Sequence, residues 1–120
     1  SSRTRIISPC VLHAAAVFNT HGEIILVRED VGRHNAVDKI IGALLRRKQL
    51  PANDLGIIVS GRTSFELMQK IIVAGVPILA AVSAPSSLAI NLAKEFEVTL
   101  VGFLRGNKFN TYSSDYRITC

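Results

Sequence analysis

The sequence has no tryptophan and only one methionine, and aromatic residues make up just 6% of its 120 residues. Apolar residues nevertheless account for 48% and charged residues for 19%, the composition of a folded chain rather than a disordered one. Because aromatic side chains are scarce, Ile, Leu, Val and Ala must fill the hydrophobic core. The length suits one domain, and we expect residues 1–120 to form it, with residues 1–7 flexible or foreign to the natural chain.

Long apolar runs are also missing. No run reaches the roughly 18 residues that a membrane helix requires, so we expect no membrane association. The first ten residues, SSRTRIISPC, are polar and basic and lack the apolar region of a secretory signal. The two cysteines, Cys10 and Cys120, form neither a C-x-x-C pair nor a metal-ligand spacing. These features favour free thiols in a reducing cytoplasm and predict no metal site.

The charge balance is basic, with 14 Lys and Arg residues against nine Asp and Glu residues and a formal net charge of +5. A positive chain suits anionic partners such as nucleic acids, nucleotides or a phosphorylated cofactor. The basic residues are not interleaved with aromatic ones, as they are on surfaces that stack nucleic-acid bases. We therefore expect a small phosphate-bearing ligand rather than nucleic acid.

Short apolar runs alternate along the chain with longer amphipathic segments. The sequence predicts strands over residues 14–19, 23–28, 55–60, 76–82, 98–104 and 109–113, and helices over residues 33–48, 63–74 and 86–96. Thr20-His21-Gly22 is typical of a hairpin turn between the first two strands. Thr63-Ser64-Phe65-Glu66 has the pattern of a capping box, and Gly75 is expected to end that helix.

Strands that alternate with helices indicate a mainly parallel sheet joined by right-handed crossovers. The opening hairpin adds an antiparallel pair, so the sheet is expected to be mixed. The sequence therefore predicts an α/β protein, a small three-layer α/β/α domain.

Four polar segments follow predicted strands. In open α/β sheets, ligands bind beyond the carboxyl ends of the strands, and these segments are expected to project there. They are residues 29–35, 60–64, 83–87 and 103–108. The candidate binding residues within them are Glu29, Asp30, Arg33, His34, Ser60, Arg62, Ser64, Ser83, Phe103, Leu104, Arg105, Gly106, Asn107 and Lys108.

This composition favours an anionic ligand. Helix N-termini present unpaired N–H groups and a partial positive charge, and glycines let a ligand approach the backbone. Arginine binds phosphate oxygens through two parallel hydrogen bonds. Glu29 or Asp30 could accept hydrogen bonds from the N–H edge of a guanine-like base. The segments together predict a nucleotide.

Simpler roles remain open for the same residues. Ser60, Thr63, Ser83 and Ser86 could cap helices, and Arg62 could pair with Glu66 on the surface. His34 could be an ordinary helix-start histidine, and the glycines could serve turns alone.

Several other chemistries lack their motifs. The sequence has no G-x-x-x-x-G-K-[ST], no G-x-G-x-x-G after a strand and no G-x-S-x-G elbow. His13 lies three residues after Cys10 and could lower the pKa of its thiol, so a hydrolase or transferase with a Cys10 nucleophile is a third, weaker hypothesis.

The polar segments also resemble the FdhD family, the formate dehydrogenase accessory sulfurtransferases. The matching stretches, in the family's order, are EDVGRHNAVDK (29–39), SGRTSFELMQK (60–70), ILAAVSAPSSLA (78–89) and LVGFLRG (100–106), together with HAAA (13–16). The resemblance covers nearly the whole chain from His13 to Tyr112.

The resemblance implies a cytidine-deaminase-like fold and the carboxy-terminal, cofactor-binding domain of a longer homodimeric protein. It implies transfer of persulfide sulfur from a cysteine desulfurase to the molybdenum cofactor, in its bis-molybdopterin guanine dinucleotide form, for formate dehydrogenase. By motif match, residues 103–108 fall on the family's cofactor-binding loop.

Two features are absent from this sequence, one typical of the FdhD family and one typical of the deaminases whose fold the resemblance implies. The family carries sulfur on a C-x-x-C cysteine upstream of the matched region; the chain has no such pair, and Cys10 does not match it. The H-x-E and P-C-x-x-C signature of zinc deaminases is also missing, which argues against base deamination. The alternative function is therefore a non-catalytic cofactor-binding chaperone.

Overall fold

The computed structural model describes residues 13–48, 53–82, 84–103 and 109–114. Six strands and three helices lie within these ranges. They are β1 (His13–Phe18), β2 (Ile24–Asp30), α1 (Arg33–Arg46), β3 (Gly56–Val59), α2 (Phe65–Val73), β4 (Ile78–Ala81), α3 (Ser87–Glu95), β5 (Thr99–Phe103) and β6 (Phe109–Ser113). Each corresponds to an element that the sequence predicts. The expectation for residues 1–7 falls outside the described ranges.

The β1–β2 hairpin is closed by a side chain as well as by the backbone. The carboxamide oxygen of Asn19 accepts hydrogen bonds from the backbone N–H groups of His21 at 2.9 Å and Glu23 at 3.0 Å. Gly22 takes a φ of +79°, a conformation that glycine adopts without steric cost. The predicted turn is confirmed, and its residues 20–22 are exposed.

The six strands form one mixed sheet in the order β2-β1-β3-β4-β5-β6. Strands β3, β4 and β5 are mutually parallel, whereas β1 runs antiparallel to both β2 and β3, and β6 runs antiparallel to β5. Since β1 opposes both of its neighbours, β2 runs in the same direction as β3. The carboxyl ends of β2, β3, β4 and β5 therefore lie at one end of the sheet.

One face of the sheet carries the main core. Val17, Leu26, Ile57, Leu79 and Leu100 lie opposite one another across five strands, and all are buried. Residues directly opposite in neighbouring strands share a face, so these side chains form one continuous apolar row. The same core cluster includes Ala36, Val37, Ile40, Ala43 and Leu44 of α1, Leu67, Met68 and Ile71 of α2, and Ala89 and Ala93 of α3.

All three described helices thus pack on a single face. Lys70 of α2 donates a 2.9 Å hydrogen bond to Asp38 of α1, which confirms that these two helices are neighbours. The predicted α/β class and mixed sheet are confirmed. Of the three layers that the sequence predicts, the described ranges contain two, the sheet and one layer of helices.

The opposite face, which we call the outer face, is also apolar. Ala16, Ile58, Ala80 and Val101 form a row across β1, β3, β4 and β5. Ala80 and Val101 are buried yet do not belong to the main core cluster. The sheet therefore separates two apolar surfaces, of which the described helices cover one.

Helix α2 ends in a Schellman motif. The N–H of Val76 donates to the carbonyl of Ile71, and the N–H of Gly75 donates to the carbonyl of Ile72. Gly75 has a φ of +75°, in the left-handed region that disfavours residues with a Cβ atom. The prediction that Gly75 ends this helix is confirmed.

We expect Gly75→Ala to lower the free energy of unfolding by about 1 kcal/mol, because alanine is strained at this φ. Gly42→Ala is the matched control and should change stability in the opposite direction. Gly42 lies inside α1, where an added Cβ would meet only the Arg46 guanidinium at 3.8 Å, and alanine favours helix interiors by roughly 0.5–1 kcal/mol. Urea unfolding measures the change in the free energy of unfolding for both variants. Equal changes in the two variants would contradict the prediction.

Candidate functional site

The predicted binding segments converge on the end of the sheet where four strands finish. We call this end the rim, and its described parts are residues 29–34, 60–64, 84–86 and Phe103. Of the predicted residues, the rim includes Glu29, Asp30, Arg33, His34, Ser60, Arg62, Ser64 and Phe103. Ser83, Leu104, Arg105, Gly106, Asn107 and Lys108 lie outside the described residues, as does Cys10. The common location that the sequence predicts is confirmed for the described segments.

All three helices of the described ranges begin at the rim, so their N-termini add partial positive charge there. The Ser64 hydroxyl accepts a hydrogen bond from the N–H of Leu67 at 3.2 Å and caps α2. The Ser86 hydroxyl accepts from the N–H of Ala89 at 3.1 Å and caps α3. The capping role considered for Ser86 is therefore confirmed, and Ser64 also serves as a cap.

The prediction of a capping box that begins at Thr63 is wrong. The cap lies one residue later, at Ser64, and the box fails because the residue three positions after Ser64 is leucine. Thr63 is fully buried, and its hydroxyl has no hydrogen-bond partner among the residues described here. Its carbonyl accepts from the N–H of Ser86 at 3.0 Å. Thr63 thus links the segments that follow β3 and β4.

Ser60 caps a strand rather than a helix. Its hydroxyl accepts a hydrogen bond from the N–H of Ala14 at 2.8 Å, and its own N–H donates to the carbonyl of Ala14 at 2.9 Å. The pairing of β1 with β3 therefore extends one residue beyond the strand. A hydroxyl that accepts one bond still has its own hydrogen to donate, and Ser60 is exposed at the rim.

Asp30 binds the chain's own turn. One carboxylate oxygen accepts from the N–H of Gly32 at 3.0 Å and from the Asn35 side chain at 3.4 Å. The other oxygen lies 3.0 Å from Nζ of Lys39, which also donates to the carbonyl of Glu29 at 2.8 Å. The Gly32 N–H, followed by Lys39, lowers the pKa of Asp30 from 3.8 to about 2.

Lys39 has a role that the sequence did not reveal. It closes the loop between β2 and α1, although it lies nine residues after Asp30 in the chain. One feature of the sequence did point to this pair. Because α1 closely follows β2, the second turn of the helix, which includes Lys39, lies beside the end of the strand. Charge spacing alone could not identify the pair.

Asp30 should make stability depend on pH in acid. Because its pKa is lowered by folding, the ionised carboxylate stabilises the fold above its ordinary pKa of 3.8, and this contribution is lost as the pH falls through about 2. Asp30→Asn should therefore be less stable than the parent near neutral pH, and the difference should fade in strong acid. Urea midpoints across this range check it, with exposed Asp54→Asn as control. A difference that stays constant with pH would refute this account.

Arg62 forms no ion pair with the residues that the structure describes. The salt bridges found in the described part of the chain join Lys39 with Asp30 and Lys70 with Asp38. The pairing of Arg62 with Glu66 that the sequence left open is therefore not formed, and Arg62 is exposed at the rim. An exposed guanidinium beside a helix N-terminus suits a phosphate group.

The sequence profile of the FdhD/NarQ family matches residues 9–119. The chain belongs to the FdhD/NarQ family. It is 61% identical over 107 residues to the sulfur carrier protein FdhD of Nocardia farcinica, covering 89% of this chain and 38% of that protein. The sulfur carrier protein FdhD of Sulfurisphaera tokodaii is 54% identical over 107 residues, which cover 89% of this chain and 42% of that protein.

A solved structure agrees with this assignment. The crystal structure of a protein described as a formate dehydrogenase accessory protein, from Desulfotalea psychrophila, superposes with a TM-score of 0.82 and 34% identity. The match covers 92% of this chain and 48% of that chain. This FdhD/NarQ chain therefore has the fold of the matched half of that protein. It spans about two fifths of the length of the curated relatives above.

Two cavities adjoin the rim of this FdhD/NarQ chain. The larger, of about 650 Å³, lies between α1 and α2 and is lined by His34, Ile41, Glu66, Gln69, Lys70, Val73 and Ala74. The smaller, of about 200 Å³, lies on the outer face near the ends of β3 and β4, where its lining includes Ala14, Ala16, Ile58, Ser60 and Val82. Each therefore begins beside residues that the sequence assigned to ligand binding.

None of the helices in the part of the chain that the structure describes combines the length and apolar character needed to cross a membrane. No group of three or more His, Cys, Asp or Glu side chains in those ranges is arranged to hold a metal ion.

Proposed function

We propose that the complete protein is a sulfur carrier for formate dehydrogenase maturation. It accepts persulfide sulfur from a cysteine desulfurase and passes it to the molybdenum cofactor, bis-molybdopterin guanine dinucleotide, before the cofactor enters formate dehydrogenase. The naming of the relatives as sulfur carrier proteins supports the role. In this proposal the present chain supplies the cofactor-binding part, works in the cytoplasm and pairs with a second copy as a homodimer.

The rim is the observation that carries this proposal. Three helix N-termini, the exposed Arg62 and the strand-end segments lie at one end of the sheet. The guanine dinucleotide part of the cofactor brings a pyrophosphate, and unpaired N–H groups with arginine match its oxygens. By their resemblance, residues 103–108 correspond to the family's cofactor-binding loop.

Titration of the 120-residue chain with GDP tests the cofactor-binding part. GDP should bind, and Arg105→Ala or Lys108→Ala should weaken binding by about 1–3 kcal/mol, the value typical of a lost charged hydrogen bond. Arg46→Ala is the matched control, because it removes a positive charge from the last turn of α1, away from the rim. A folded chain that takes up no GDP, or an equal loss in the Arg46 variant, would count against the proposal.

A second candidate is a chaperone that binds the cofactor and the apoenzyme but carries no sulfur. For the isolated 120-residue chain, this role is favoured because its sequence contains no C-x-x-C pair. The two functions differ in their need for a persulfide cysteine. The test is maturation of formate dehydrogenase in cells that supply the complete protein with its C-x-x-C cysteines replaced. Full activity would support the chaperone, whereas loss of activity with intact GDP binding would support the sulfur carrier.

A further inference from the structure

Strand β2 forms one edge of the sheet. It is the first strand in the order β2-β1-β3-β4-β5-β6, and among the described residues it pairs with β1 alone. Ile24 and Val27 lie on its outer face, and their side chains are 54% and 49% exposed. An edge strand of seven residues with exposed apolar side chains is a template on which a strand of another chain can pair. Such an edge needs a feature that prevents pairing.

The pairing of β1 shows which backbone groups of β2 point outward. The N–H of Ala14 donates to the Ser60 hydroxyl, and the carbonyl of Ala14 accepts from the N–H of Ser60, so both groups of Ala14 point toward β3. They therefore point away from Glu29, the residue opposite Ala14 in β2. In an antiparallel pair, hydrogen-bonded positions alternate with positions that are not hydrogen-bonded. The N–H and carbonyl groups of Glu29, and those of Val27 two residues earlier, thus face away from β1.

Two cationic side chains occupy the carbonyls that point outward. Nη1 of Arg28 donates to the carbonyl of Val27 at 2.7 Å, and Nζ of Lys39 donates to the carbonyl of Glu29 at 2.8 Å. The ion pair with Asp30 holds Lys39 in this position. A strand that arrived at this edge would need both carbonyls as acceptors for its own N–H groups. It would therefore have to displace a charged donor from each of them, which costs more than displacing water.

We propose that Arg28 and Lys39 form an edge guard, a pair of cations that keeps β2 from pairing with a strand of another molecule, including a second copy of this chain. Charged side chains, lysine above all, are one means by which β-sheet proteins avoid edge-to-edge association. Without the guard, two β2 strands could pair in antiparallel fashion across a two-fold axis near Val27, because such a contact uses the same groups of both copies. The guard implies that the proposed homodimer forms through a different surface.

Replacement of both guard residues tests this inference by sedimentation equilibrium of the 120-residue chain over a range of concentrations. At high concentration, Arg28→Ala/Lys39→Met should reach about twice the molar mass of the parent, as expected when two copies join. Arg28→Ala alone should associate more weakly, because Lys39 still occupies the Glu29 carbonyl. Arg46→Ala/Arg47→Ala is the matched control, because it also removes two positive charges, but from the end of α1 opposite the rim. Its molar mass should equal that of the parent.

A proline distinguishes pairing at this edge from association elsewhere. The N–H of Val27 faces away from β1, so Val27→Pro should be tolerated, and its ring should block an incoming strand. Added to the double variant, it should restore the molar mass of the parent. Hydrogen exchange gives a second readout. The amides of Val27 and Glu29 should exchange rapidly in the parent and become protected in the double variant as its molar mass rises.

Folding controls accompany these measurements. Circular dichroism and the urea midpoint check each variant, and Arg28→Ala, which keeps the ion pair of Lys39 with Asp30, decides the question if the double variant does not fold. Folded guard variants that keep the molar mass of the parent would overturn the edge guard, as would equal association of the Arg46/Arg47 variant. Association that Val27→Pro does not reverse, or that leaves the Val27 amide unprotected, would also overturn it.

Discussion

Replacing Leu79 by alanine is expected to lower the free energy of unfolding by about 2–5 kcal/mol, the range found when large aliphatic side chains are deleted from protein cores. Leu79 is fully buried in β4, between Ile57 of β3 and Leu100 of β5 in the apolar row beneath the helices. Deleting its side chain removes apolar contacts and leaves a cavity that a sheet held by neighbours on both sides cannot readily close.

Val73→Ala is the matched control for Leu79→Ala. It also shortens an aliphatic side chain, but Val73 is 87% exposed on α2, so its stability should change by only a few tenths of a kcal/mol. Urea unfolding followed by circular dichroism measures both variants. A loss below about 1 kcal/mol for Leu79→Ala would show that this row is not the centre of the core.

Gly56→Ala is the second substitution with a large expected effect. An added Cβ at Gly56 would overlap the ring of Phe18, because it would lie under 3 Å from Cζ and from both Cε atoms. The aromatic ring covers the glycine from the neighbouring strand on the outer face, so the ring or the β1–β3 pair must move. Overpacking of this kind costs about 1–3 kcal/mol.

A double-mutant cycle separates this contact from a general effect on the strand. In the Phe18→Ala background the added methyl group has room, and Gly56→Ala should cost little or stabilise the strand. The cycle should therefore give a coupling energy of about 1 kcal/mol or more in unfolding experiments. The assigned packing of Phe18 over Gly56 would be refuted if Gly56→Ala were equally damaging in both backgrounds.

The order and type of every described element could be predicted from the sequence, because each had a strong local signal. In α1, Ala36, Ile40, Ala43 and Leu44 recur at helical spacing and all are buried. Gly22 and Gly75 mark chain reversals at positive φ. The shared location of the binding segments could also be predicted from the sequence, because parallel strands bring their carboxyl ends together.

The face on which each helix packs could not be predicted, because it depends on strand order. Each crossover, from β2 to β3, from β3 to β4 and from β4 to β5, steps in the same direction along the sheet. Right-handed crossovers that step the same way fall on the same face. The alternation of strands and helices in the sequence is compatible with either one or two helical layers.

Side-chain roles within the rim were the least predictable. Ser64 rather than Thr63 caps α2, a difference of one residue that depends on which side chain faces inward. Glu29 and Asp30 have similar chemistry and adjacent positions, yet Asp30 binds Gly32 and Lys39. Such choices depend on strand register and on contacts distant in sequence, which residue type alone does not determine.

The hairpin turn at residues 20–22 lies at the opposite end of the sheet from the rim, because β1 begins at the rim and runs away from it. Its exposed residues make no part of either cavity described above. A fluorophore attached at Thr20, or an affinity tag inserted beside it, would therefore report on this molecule without obstructing ligand entry. Because β1 runs antiparallel to its neighbours, the hairpin turn at residues 20–22 is a suitable attachment point for immobilisation and for single-molecule work.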